Sequence, residues 1–404
     1  MTQPLISRRG TEMPMSAMRK LIPLAQAAKA RGMRVIHLNL GQPDIETPPE
    51  FWEAIRAFPD HEPTLAYAPS AGRPELIASL VTYYERHDIP LKPEQIIVTI
   101  AGCEALVFAM TACCDVGDEI VLPEPYYSNY SGVAGMAGVK LVPFTTHAEE
   151  GYHLPSREAI EQKITSRTRA LLYANPGNPT GTVYTRDELI LLGEIAREHG
   201  LFLLGDEVYR EFTYDGTRAI SVLQLPGLEE YAVSIDSVSK RYSACGARVG
   251  CIVSRNTALM QALLKLAAVR LSAPALEQIG AAACYNATPP EYTEQVRVEY
   301  TRRRDLVIER LSQVEGITCH KPAGAFYAMA RIAGVDTEDF SSWLLTDFEE
   351  NGETVMVAPG AGFYGTPGLG RDEIRIAYVL ELETLGRGMD LLVSAIRRYR
   401  QERA

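Results

Sequence analysis

The chain has 404 residues, 46% of them hydrophobic, with a formal net charge of −11 and an isoelectric point near 5.3. That length holds one large core plus a second lobe, and the acidic balance excludes a broad nucleic-acid or anionic-membrane surface, which needs a basic footprint. No run of about 18 apolar residues and no export-type apolar stretch after Arg8 and Arg9 occurs, and the seven cysteines and seven histidines form neither a disulfide framework nor a metal-ligand spacing, so a reduced cytoplasmic protein is expected.

In chain order, residues 1–47 are read as an N-terminal arm that joins the smaller of two domains. Between about residue 95 and residue 255 short apolar runs alternate with amphipathic stretches, the pattern of βαβ units around a mainly parallel sheet. The expected strands are Ile96 to Ile100, Glu119 to Leu122, Ala170 to Tyr173, Leu201 to Leu204, Ala232 to Ile235 and Gly250 to Val253. A crossover helix is expected after Thr185, because Glu188 completes a capping box, Leu189, Leu192 and Ile195 fall at helical spacing, and Gly200 sits where a C-cap belongs. Residues 48–288 are assigned to the large domain. Residues 289–404 are assigned to a small α+β domain with a charged helix over Tyr292 to Ser312, Gly/Pro-rich strand pieces and a C-terminal amphipathic helix.

Three of the apolar runs end in polar groups: Asn175-Pro176-Gly177-Asn178-Pro179, Asp206-Glu207-Val208-Tyr209, and Asp236-Ser237-Val238-Ser239-Lys240. In open α/β sheets ligands bind outside the carboxyl ends of the strands, so these residues are expected to share one crevice. Each has a bland reading: Asp206 as a helix cap, Asn178 as a turn residue, Lys240 as a solvated surface cation, Arg375 as a solvated edge-strand residue. Together they fit pyridoxal 5′-phosphate (PLP) chemistry, in which one lysine anchors the cofactor and shuttles a proton while an aspartate keeps the pyridine nitrogen protonated. A phenol and an amide suit the ring's 3-oxygen, and Ala101-Gly102-Cys103 before a helix, with Ser237 and Arg248, suits a phosphate. Arg375, in an alternating strand, suits a carboxylate.

In order and spacing these motifs resemble the class I/II aminotransferases of the fold-type I PLP-dependent superfamily, from Leu38-Asn39-Leu40-Gly41-Gln42-Pro43-Asp44 to Arg375. The resemblance implies a large domain with a mainly parallel seven-stranded sheet, plus a smaller α+β domain. It implies Lys240 as the Schiff-base lysine, Asp206 as the pyridinium partner, Asn178 and Tyr209 at the 3-oxygen, and Ser237 and Arg248 at the phosphate. It also implies Tyr127, with Tyr126 as competitor, stacked on the cofactor, Gly41 as a backbone contact to substrate and Arg375 as the α-carboxylate clamp. Tyr67 resembles a tyrosine that reaches the neighbouring subunit's phosphate, implying a homodimer.

The implied activity moves the amino group of an L-amino acid, aspartate-type, to a 2-oxoacid such as 2-oxoglutarate. Cys103 stands where related aspartate enzymes carry a lysine, which leaves aromatic, branched and alanine-like substrates open, with Arg8 or Arg9 as alternative cations. A β-lyase or cyclopropane-forming synthase on the same scaffold is a second reading. A PLP-sensing regulator ranks below both, since only about forty residues precede the first motif and the charge is acidic.

Overall fold

A computed structural model describes residues 4–13 and 17–403; residues 1–3, 14–16 and 404 of the expected terminal segments lie outside the described residues. Aliphatic and β-branched runs buried on both faces build a seven-stranded sheet, as expected for parallel strands covered by helices. Its spatial order is Ile96–Thr99, Gly250–Ser254, Ala232–Ser237, Phe202–Asp206, Thr168–Ala174, Glu119–Glu124, Lys140–Thr145. Gly250–Ser254 runs antiparallel to both neighbours, and the other pairings are parallel.

The six expected strands are all present, with no end moved by more than two residues. The seventh, Lys140–Thr145, lacks a clean apolar run: Lys140 is exposed and Pro143 interrupts it, which an edge strand tolerates because one side of its ladder is unused. The crossover helix is Arg186–His199, and its capping box and left-handed Gly200 (φ 65°) form as expected. It connects Thr168–Ala174 to the parallel strand Phe202–Asp206.

The smaller α+β domain centres on a four-stranded antiparallel sheet ordered Ala358–Pro359, Glu373–Ala377, Tyr327–Ile332, Ile317–Thr318. Helices Pro290–Ser312 and Leu382–Arg403 pack on each other beside it. The charged helix starts two residues before the expected Tyr292 because Pro290 takes the first helical position, where its missing N–H costs nothing. The N-terminal segment joins this part through strand Arg34–His37, which pairs in parallel with Glu353–Met356.

Candidate active site

The strands Thr168–Ala174, Phe202–Asp206 and Ala232–Ser237 end on the same edge of the large sheet, and a cavity of about 270 Å³ opens there. Gly41, Ala101, Gly102, Cys103, Tyr127, Asn178, Asp206, Tyr209, Ser237, Lys240, Arg248 and Arg375 all line it. Tyr67 does not; it is 82% exposed and borders a separate depression with Leu65 and Pro274. Arg8 and Arg9 lie on an exposed short helix, Arg8–Glu12, and do not reach the cavity.

Lys240 sits in the short helix Val238–Arg241, whose start is capped by Ser237. Its ammonium donates to the carbonyl of Gly41 at 2.8 Å and lies 3.7 Å from Cys245 Sγ. Across the cavity Asp206 closes strand Phe202–Asp206, almost completely buried. Tyr130 donates to its Oδ2 at 2.6 Å. Oδ1 is buried and accepts no hydrogen bond. Burial pushes the Asp206 carboxyl up to about 6, against the pull of the Tyr130 hydrogen bond.

At the other end the helix Ala101–Cys113 begins at Ala101 itself, so Ala101-Gly102-Cys103, expected to precede the helix, forms its first turn and its N–H groups face the cavity end. Ala101 is left-handed (φ 57°), as is Arg248 (φ 55°), and strain of this kind concentrates at functional sites. Gly250 on the reversed strand lets this turn approach: a Cβ there would lie 2.7 Å from the Ala101 carbonyl carbon. The Ser237 hydroxyl lies 2.8 Å from Ser239 Oγ and 2.9 Å from the Val249 carbonyl. Arg248 donates to the Cys245 carbonyl at 2.8 Å.

Arg375 is 3% exposed, so the solvated edge-strand reading is wrong: Glu373–Ala377 is an inner strand, flanked by Tyr327–Ile332 and Ala358–Pro359. Its guanidinium donates to Asn178 Oδ1 at 3.0 Å and to the Asn39 carbonyl at 2.6 Å. It also lies over the rings of Tyr327 (4.5 Å) and Phe363 (4.9 Å). The loop carrying Phe363 is tied to the large sheet by Glu124, whose carboxylate accepts the amides of Gly365 and Thr366 at 2.8 and 2.9 Å.

Of the two aromatic candidates Tyr127 lines the cavity. Tyr126 turns behind it, with its hydroxyl 3.1 Å from Ser131 Oγ. Sequence reasoning missed Tyr130, Ser239, Cys245 and Tyr327, all of which line the cavity. Tyr130 had a signal, standing three residues after Tyr127 in the first turn of helix Asn129–Ala137. Tyr327 had none: its hydroxyl reaches Tyr209 from 118 residues away, at 2.9 Å.

Beneath the cavity, the chain neighbours of its polar residues clasp one another in a buried network. Asp236 accepts from Arg241 at 2.8 Å and from Arg210 at 3.4 Å, and Arg210 also meets Glu207 at 2.9 Å. Glu207, beside Asp206, further accepts the Ser221 and Ser234 hydroxyls and the Val222 amide.

The model of the family "Aminotransferase class I and II" matches residues 33–390. An aspartate aminotransferase of Geobacillus stearothermophilus is 33% identical over 99% of this chain and 100% of its own length. An aromatic-amino-acid aminotransferase of Thermococcus litoralis is 30% identical over 95% and 96%. A mutant structure of the Thermus thermophilus aspartate aminotransferase superposes with a TM-score of 0.89 at 28% identity, covering 97% of this chain and 100% of that one. With this family match spanning nearly the whole chain, and the strand-end cavity in the fold that the match implies, the protein belongs to the class I and II aminotransferases.

Proposed function

We propose that the cavity holds PLP on Lys240 and that the enzyme transfers the amino group of an L-amino acid to a 2-oxoacid in two half-reactions. The observation that carries this reading is Asp206 Oδ1, a buried carboxylate oxygen without a partner, which is what a protonated ring nitrogen would occupy. The first turn of Ala101–Cys113, Ser237, Ser239 and Arg248 would hold the phosphate, Asn178 and Tyr209 the 3-oxygen, and Tyr127 one ring face. Bound there, PLP supplies an electron sink for the carbon–hydrogen bond broken at the substrate Cα.

Arg375 would bind the α-carboxylate as a planar pair, pre-oriented by Asn178 and the Asn39 carbonyl. The Lys240 amine would take the proton from the substrate Cα and hold it for return. The Gly41 carbonyl, 2.8 Å from Nζ, keeps that amine on the cavity side during the transfer. Asp206 favours the cationic ring nitrogen, and the Tyr130 hydrogen bond keeps the carboxylate charged.

Aspartate is the first substrate to test, because relatives along the whole chain carry that name. The only cations lining the cavity among the described residues are Lys240, Arg248 and Arg375, so a second substrate carboxylate would draw its cation from a partner subunit. We infer a homodimer, with the exposed Tyr67 reaching the partner's phosphate site, and domain boundaries at residues 48 and 289, supported by the pairing of Arg34–His37 with Glu353–Met356. No helix among the described residues is long and apolar enough to cross a membrane, and we infer a cytoplasmic enzyme.

Borohydride reduction of the PLP-loaded protein is expected to fix the cofactor on Lys240, and single turnovers against a panel of amino acids to release stoichiometric 2-oxoacid. Ammonia with pyruvate from cysteine-type substrates would instead identify a β-lyase.

A further inference from the structure

We infer that Tyr327 is a positioning residue of this site, setting the direction of the Tyr209 hydroxyl hydrogen and the plane of Arg375. The inference rests on the proposed binding of PLP to Lys240.

Tyr327 begins strand Tyr327–Ile332 and pairs in register with Ala377, two residues from Arg375, so Tyr327 and Arg375 are diagonal neighbours on one face of the sheet. Its ring is 2% exposed and lies 4.5 Å from the Arg375 guanidinium carbon. Its hydroxyl lies 2.9 Å from that of Tyr209, and the two rings meet edge to face with centroids 5.6 Å apart. On the opposite side it abuts Gly41, where a Cβ would fall 1.8 Å from the Tyr327 oxygen. Gly41 in turn supplies the carbonyl that accepts from Lys240. One side chain therefore touches the phenol, the carboxylate clamp and the backbone that orients the lysine.

A phenol has a single hydrogen to donate. If Tyr209 gives its hydrogen to the ring 3-oxygen, the Tyr209–Tyr327 bond can only be donated by Tyr327. Both hydrogens then point toward the cofactor, and the chain of donors polarises cooperatively between two buried side chains. Tyr209 is held for this by burial among Phe212, Phe326 and Tyr327, which pushes its phenol well above its ordinary range and keeps it a donor. The missing side chain at Gly41 has a matching explanation: any carbon there displaces the Tyr327 hydroxyl and breaks the relay.

The test separates the two contacts. Tyr327→Phe keeps the ring over Arg375 and removes the relay hydrogen. Its KM for amino-acid donors is expected to stay within about twofold, while kcat falls about tenfold, the size of one lost neutral hydrogen bond. The pKa of the absorbance change of the lysine-bound cofactor is expected to rise, because a weaker donor leaves more negative charge on the 3-oxygen to hold the neighbouring proton on the lysine nitrogen. Tyr327→Leu also removes the ring and is expected to raise KM about tenfold. Gly41→Ala is expected to reproduce the spectroscopic shift of Tyr327→Phe. A Tyr327→Phe protein that titrates and turns over like the wild type overturns this inference alone. A wild-type protein that takes up no PLP on Lys240 overturns the underlying reading as well.

Discussion

Tyr130 donates to one oxygen of the Asp206 carboxylate at 2.6 Å and leaves the other buried without a hydrogen bond. The pair is half of an electrostatic device. Burial favours the neutral acid, and the pull of the Tyr130 phenol offsets it only in part, leaving the carboxyl at about 6.

The cofactor-free protein therefore holds the Asp206 proton more tightly than the unfolded chain does. That stabilisation is complete below the ordinary aspartate value near 4 and is lost as pH rises through about 6. Asp206→Asn is expected to abolish transamination yet stabilise the cofactor-free protein above that range, by up to about 3 kcal/mol. Urea unfolding of both proteins at about pH 5 and about pH 8 checks it, and equal pH dependence in the two would count against it.

Tyr130→Phe keeps the ring and removes the donor to Oδ2. The Asp206 carboxyl is expected to move higher still, so the acid limb of kcat/KM shifts to higher pH while KM at alkaline pH changes little. A pH profile with an unmoved acid limb contradicts the assignment.

Arg375→Lys leaves a point charge where a planar fork bonds Asn178 Oδ1 and the Asn39 carbonyl. The loss is expected mainly in KM, with kcat/KM down about 100-fold, or about 3 kcal/mol of binding. Steady-state kinetics with two amino acids that share only the α-carboxylate should show the same factor for both.

Asp236 stands between two buried arginines, and Asp236→Asn leaves Arg210 and Arg241 partly uncompensated. The expected cost is about 3–5 kcal/mol of stability, read from the urea midpoint. Since Arg241 follows Lys240 and Asp236 precedes Ser237, weakened cofactor retention is expected together with it.

Glu188 accepts the Thr185 amide at 2.7 Å, the Leu154 amide at 2.8 Å and His153 Nδ1 at 3.0 Å. Burial raises its carboxyl, but these bonds outweigh it and hold the group down at about 2. The stability it confers is present above the ordinary glutamate value and is lost as pH falls toward about 2. Glu188→Ala is expected to cost about 1–2 kcal/mol at neutral pH and less in acid, measured by thermal unfolding at both pH values.

The convergence at the strand ends was legible in the sequence. Asn178, Asp206, Tyr209, Ser237 and Lys240 each stand at or just after an apolar run, and strand-end geometry predicts that they meet. The strand Lys140–Thr145 was obscured by Pro143, and the helix start at Ala101 by the small residues of its first turn. Tyr67 was singled out, but its side chain faces outward, away from the cavity.

Local pattern by itself determined the βαβ succession, the capping box at Thr185 and Glu188, and the set of polar residues available to the site, because periodicity, caps and turns act over a few neighbouring residues. Only the tertiary structure decided that Arg375 is buried instead of solvated, that Asp206 keeps one oxygen unpaired, and that Tyr327 closes on Tyr209 and Gly41. Desolvation and hydrogen-bond partnership depend on groups brought from far along the chain, and those packing contacts set whether a given side chain carries charge, where its hydrogen points and what it can hold.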